Sequence, residues 1–241
     1  MNIQHFQTPP KEYREVPFWS WNDDLAPQEL VRQIELMDEA GWGGFFMHSR
    51  VGLRTPYLGR QWMECIRACV DAAREHDMGA WLYDEDKWPS GFAGGLSVAP
   101  HPSHRAQYLI CKVDNRPALV AERIATFAAR EVAGQLVDIY SNDVPIIKDD
   151  ADRLIQFYPQ TAPLGMTWFN DYTYLSVLNP DAVRAFLDST HQVYARTVGP
   201  DLGHAVPGIF TDEPCSLFAR DHPAAKQPIL PWTDDLPTYF Q

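Results

Sequence analysis

LYDEDKWPSGFAGG, residues 82–95, sets Asp84, Glu85 and Asp86 side by side between an apolar run and a glycine-rich turn. Adjacent carboxylates repel, and a strand gains nothing from them. Either they lie in water as a turn, or they surround something that needs negative charge. The residues before them decide the fold. VPFWSWN (16–22), GGFFMHSR (43–50) and GAWLYDED (79–86) are apolar runs rather than alternating patterns. Between the first two, Leu30, Ile34 and Met37 repeat at helical spacing after a first-turn Pro27 and stop at Gly41. Between the second and third, Trp62, Ile66, Cys69, Val70 and Ala73 form the apolar face of a helix at 60–77. Strand, helix, strand, helix, strand with continuous apolar strands points to an α/β fold, a parallel sheet covered by helices.

Residues 106–165 break that rhythm. RAQYLICKVD, ERIATFAARE, GQLVDIYS and RLIQFYP read as short strands separated by turns, an antiparallel insertion on the face that carries the strand ends. VAERIATFAAREVA holds enough Ala and Glu to compete as a helix. The α/β pattern returns with a helix at 178–197, opened by Asn179 as cap, Pro180 and Asp181, and with a fourth strand, VPGIFTDEP (206–214). The domain reading is an irregular leader (1–15), a first part (16–105), the insertion (106–165) and a continuation with a short tail (166–241).

The net charge of −12 and a pI near 5.0 disfavour nucleic acid and anionic membranes as partners. No run of about 18 apolar residues spans a bilayer, and MNIQHFQTPPKEYREVP has no apolar core of a signal peptide. Cys65, Cys69, Cys111 and Cys215 form no CxxC pair, so a reducing cytoplasm is the expected setting. Cys65 and Cys69, four apart, share a helix face, which suits small core residues better than half a metal site.

Functional groups in parallel α/β folds collect at the carboxyl ends of strands. Here the first strand ends in Trp21 and Asn22, the second in His48, Ser49 and Arg50, the third in Asp84, Glu85, Asp86 and then Trp88, and the fourth in Asp212 and Glu213. Four strands deliver polar groups to one end, so the acid triplet is one wall of a shared pocket. Strand alternation sends Asp84 and Asp86 to one side and Glu85 to the other. Asp138, Asp143, Asp149, Asp150 and Asp152 read as solvated surface. GFAGG (91–95) precedes no clear helix and is not a phosphate loop. Clustered carboxylates beside aromatic rings fit glycoside hydrolysis, which needs one carboxyl protonated and another ionised. Glu213 is the candidate catalytic acid, its pKa raised by the acids around it. Trp21, Asn22, His48, Arg50, Asp84, Glu85, Asp86, Trp88 and Asp212 are candidate substrate ligands. A non-catalytic carbohydrate-binding module and a metal-dependent hydrolase are the alternatives. The second would need histidines at several strand ends, and only His48 qualifies.

PFWSWN, QIELMDEAGWGGFFMHSRVGL, WLYDEDKWPSGFAGG, LNPDAVRAF, GIFTDEP and LPWTDDLP together resemble the α-L-rhamnosidase-type enzymes of glycoside hydrolase family 106, from about residue 16 onward. The resemblance implies a (β/α)8-type barrel, an inverting mechanism and, in some members, a calcium ion near the sugar. DEP also resembles the NEP of many retaining barrel glycosidases, which implies the acid role for Glu213. A barrel needs about 250 residues, whereas this chain reaches only about its first four βα units. The expectation is therefore the N-terminal portion of a glycosidase, which binds sugar in isolation without turnover because the second catalytic carboxylate is absent.

Overall fold

The computed structural model describes residues 3–118, 122–141, 153–216 and 228–240. The chain divides into two compact units, residues 1–100 with 183–214, and residues 101–182 with 215–241.

In the first unit a short helix α1 (Ile3–Gln7) precedes β1 (Phe18–Trp21), α2 (Pro27–Glu39), β2 (Gly44–Ser49), α3 (Arg60–Glu75) and β3 (Gly79–Tyr83). The unit also contains most of α4 (Pro180–Ser189), then α5 (His191–Val198) and β8 (Ile209–Phe210). Helix α2 starts at Pro27, buries Leu30, Ile34 and Met37, and ends before Gly41, whose φ of 87° suits the residue after a helix terminus. Helix α3 buries Trp62, Cys65, Ile66, Cys69, Val70, Ala72 and Ala73. Both cysteines are thus core residues with free thiols, and burial pushes the Cys65 thiol up to about 11. Helix α4 opens with Asn179 Oδ1 accepting the Asp181 amide at 2.9 Å. The single helix expected at 178–197 is broken at Thr190, whose hydroxyl donates to the Phe186 carbonyl at 2.6 Å.

The strands form a parallel sheet in the order β1-β2-β3-β8. Phe18 lies opposite Phe46, Gly44 opposite Gly79, and Tyr83 opposite Phe210. Alternation divides the side chains. Trp21, Phe45, Met47, Ala80 and Leu82 join Ile34, Trp62, Ile66 and Tyr194 in one core cluster. On the other face Phe18, Phe46, His48, Trp81, Tyr83 and Phe210 pack ring against ring.

The second unit is an antiparallel sheet of β4 (Gln107–Asp114), β5 (Ala125–Val132), β6 (Gln135–Ser141), β7 (Arg153–Thr161) and β9 (Ile229–Pro231), in the order β6-β5-β7-β4-β9. Residues 125–132, where a helix competes on composition, are strand, because Phe127 and Ala128 pair with Ile155 and Leu154 of β7. Tyr108, Ile110 and Ala162 form one small core, and Ala128 with Leu154 another.

This architecture corrects the barrel expectation. The chain is not a (β/α)8 barrel, even in part. It is an open parallel sheet and a separate antiparallel sheet, with few helices. Closure requires the outer strands of a sheet to pair, and barrels close at about eight strands with a consistent stagger. Here the outer strands of the parallel sheet are β1 and the two-residue β8, and β8 pairs with β3. Among the described residues no helix is long and apolar enough to cross a membrane.

Candidate functional site

The carboxyl ends of β2, β3 and β8 bring together most of the residues singled out above, all within the first unit. His48, on β2, lies flat against the Tyr83 ring with centroids 3.8 Å apart and planes 5° from parallel. Its Nε2 sits 3.2 Å from Glu85 Oε1. Glu85 is 1% exposed, and its other oxygen, Oε2, is buried without a hydrogen-bond partner. Desolvation raises the Glu85 pKa, and repulsion from Asp212 and Asp84 adds to it, against the opposing pull of His48. The Tyr83 hydroxyl donates to Asp212 Oδ2 at 2.6 Å. Burial and that hydrogen bond both raise the Tyr83 pKa, while the charge of Arg50 lowers it.

Asp84 points elsewhere. It is 0% exposed and bound to the hydroxyls of Ser90 and Thr211, with His191 of α5 also in reach. Alternation thus separates Asp84 from Glu85 as the sequence implies, yet both are buried, and it is Glu85 that joins the His48 side. Asp86 is partly exposed, and its carbonyl accepts the Ser49 hydroxyl at 3.0 Å.

Asp212 is half-buried and Glu213 is exposed. The Trp88 indole N–H donates to Glu213 Oε2 at 3.1 Å. Among the described residues no donor reaches Oε1. Glu213 has φ of 42°, a left-handed conformation that non-glycine residues seldom adopt. Burial thus lifts the Glu85 carboxyl, and Glu213 lies open to solvent.

Trp21 stands apart. It is buried under the helices, edge to face with Trp62 at 4.9 Å, so it packs rather than lining an open pocket. Asn22 and Arg50 are exposed beside the end of β1, where the Arg50 amide donates to the Trp21 carbonyl at 3.0 Å. Asp138 is an exposed partner of Arg130, whereas Asp143, Asp149, Asp150 and Asp152 lie outside the described residues. Among the described residues no cluster of three or more His, Cys, Asp or Glu is placed to hold a metal ion.

Tyr83, Ser90, Thr211 and His191 belong to the site and were not legible as such. Ser90 and Tyr83 carried a faint signal, sitting within the quoted 82–95 stretch. Thr211 lay in the quoted 206–214 stretch with no mark of its role, and His191 carried no signal, because their partner Asp84 is 127 and 107 residues away in the chain.

No protein-family model matches the chain, and no curated protein sequence matches it. Among solved structures, a rhamnosidase from Novosphingobium sp. PP1Y is similar at 19% identity and a TM-score of 0.38, over 53% of this chain and 13% of that one. A likeness of this size assigns neither fold nor activity, and the chain overlaps about one eighth of that protein's length.

Proposed function

We propose that this protein hydrolyses O-glycosidic bonds, as an α-L-rhamnosidase-like enzyme related to glycoside hydrolase family 106, with Glu213 as general acid. One observation carries the reading. An exposed carboxyl at a strand end has Oε2 pinned by the Trp88 indole, with Oε1 facing no described donor. In the proposed step Glu213 gives its proton to the glycosidic oxygen as the bond to the anomeric carbon breaks. Water supplies the new hydroxyl, and its proton passes to an ionised carboxylate, for which Asp212, read from the sequence as a substrate ligand, is our candidate in place of the carboxylate expected to be absent. The Trp88 ring offers an apolar face to a sugar. Asn22, Arg50 and Asp86, each at least partly exposed, are proposed substrate ligands. His48 and Glu85 are proposed to act from beneath, since both are buried. The cysteine spacing, with no CxxC pair, favours a reducing compartment, and we place the protein in the cytoplasm.

A non-catalytic carbohydrate-binding role is the second reading. It is favoured by the burial of Asp84 and Glu85, which withdraws two acids from direct contact with a sugar.

The test is hydrolysis of aryl α-L-rhamnosides of graded leaving-group ability by wild type and Glu213→Gln. A general acid typically contributes about 10²- to 10⁴-fold, most for the poorest leaving group. The variant should lose activity on that scale with a poor leaving group and far less with an activated one. Turnover undiminished by Glu213→Gln overturns the acid assignment. Saturable sugar binding without turnover, weakened in Trp88→Ala, supports the binding role instead.

A further inference from the structure

Asp84 is 0% exposed and both of its oxygens are engaged within the protein, which withdraws it from direct contact with a substrate. Its Oδ1 accepts the Ser90 hydroxyl at 2.5 Å, and its Oδ2 accepts the Thr211 hydroxyl at 2.6 Å and lies 3.3 Å from His191 Nε2. Ser90, itself fully buried, extends the network. Its Oγ accepts the Asp212 amide at 2.8 Å, and its own amide donates to the Asp212 carbonyl at 2.9 Å. One buried carboxylate thus grips Thr211 directly and Asp212 through Ser90. The next residue is Glu213, at φ of 42°. A non-glycine residue holds such a conformation only where its surroundings over-determine it. The side chain of Glu213 is tied to Trp88, two residues before Ser90, so both ends of the turn are fixed by the segment that follows β3.

We propose that Asp84 is a positioning residue: through Ser90 and Thr211 it fixes residues 211–212, so that the chain enters the left-handed turn that aims the Glu213 carboxyl. Asp84 itself touches no substrate. The kinetic part of this inference rests on the glycosidase reading, whereas the geometric part does not.

The two are separated by observing the Trp88 indole N–H in ¹⁵N–¹H spectra, assigned through Trp88→Phe. The Trp19 indole, which donates to Gln33 Oε1 at 3.0 Å between β1 and α2, serves as the internal control. In Asp84→Ala the Trp88 signal should shift or broaden while that of Trp19 stays, and Asp84→Asn, which keeps one acceptor oxygen, should fall between. Ser90→Ala removes only the hydroxyl relay and should move the same signal, which decides the matter should Asp84→Ala not fold. Where wild type turns over an aryl glycoside, kcat should drop on the order of 10²-fold in Asp84→Ala, as for a catalytic group displaced by about 1 Å, with KM changed less than about threefold. An unmoved Trp88 signal, joint movement of Trp88 and Trp19, or an unchanged kcat overturns the proposal. A wild type without turnover removes the glycosidase reading alone, and the spectra then decide the positioning role.

Discussion

Replacing Glu85 with glutamine should make the protein progressively more stable than wild type as pH rises. Glu85 is 1% exposed, its Oε1 has a single partner in His48, and its Oε2 has none. Burial lifts its pKa above the ordinary 4.5. The unfolded chain then releases this proton at a lower pH than the folded one. Between the two pKa values the folded state binds more protons, so stability falls with rising pH, by at most about 1.4 kcal/mol per pH unit. The loss begins near the unfolded value and is complete once pH passes the folded one. Glutamine carries no such penalty and keeps an oxygen able to accept from His48. The two proteins should match within about 0.5 kcal/mol at pH 4, the usual scatter of a mild substitution. They should then diverge in favour of Glu85→Gln toward neutrality. Urea unfolding at pH 4, 5, 6, 7 and 8 measures the difference directly. A gap that does not vary with pH would show that folding leaves the Glu85 carboxyl unshifted, and one that favours wild type increasingly above pH 5 would show that His48 and Glu85 form an ion pair in the folded state; either would refute the reasoning.

Tyr194→Phe should cost about 1–3 kcal/mol in urea unfolding, because the Tyr194 hydroxyl is the acceptor for the buried Trp62 indole at 3.1 Å and donates to the Tyr83 carbonyl at 3.2 Å. Gly44→Ala should cost more than about 2 kcal/mol or abolish soluble expression, since its new methyl group would meet the Gly79 carbonyl of the paired strand, and neither backbone can yield. Asp201→Asn should cost about 1 kcal/mol at pH 7, a modest figure because the Arg67 and Arg74 side chains are 33% and 55% exposed. Burial opposes the charge of Asp201, but the two arginines outweigh it and hold its pKa below the ordinary value. Their contribution is therefore present above about pH 4 and vanishes as acid protonates Asp201 in the folded state, so the gap to wild type should close on acidification, as followed by thermal melts across pH.

What the sequence by itself determined is local or periodic. Leu30, Ile34 and Met37, and Trp62 through Ala73, face the core because helical spacing leaves them on one side of each helix. Strands β1 to β3 were legible as short apolar runs, and the cap at Asn179 as a side chain that bonds two residues on. The break at Thr190, the pairing of β9 with β4 and the shortness of β8 were not, since each depends on a partner far along the chain. The same holds for the barrel. Motifs in order suggested it, but closure is decided by which edges pair, a property of register and twist that no local run encodes. Within the site the sequence placed acids at strand ends. Only the tertiary structure decided that Glu85 lies buried against His48, that Asp84 binds hydroxyls rather than solvent, and that Trp21 packs in the core. Alternation says which side of a strand a carboxylate takes, but what meets it there, and so its solvation and charge, comes from residues as much as 127 positions away.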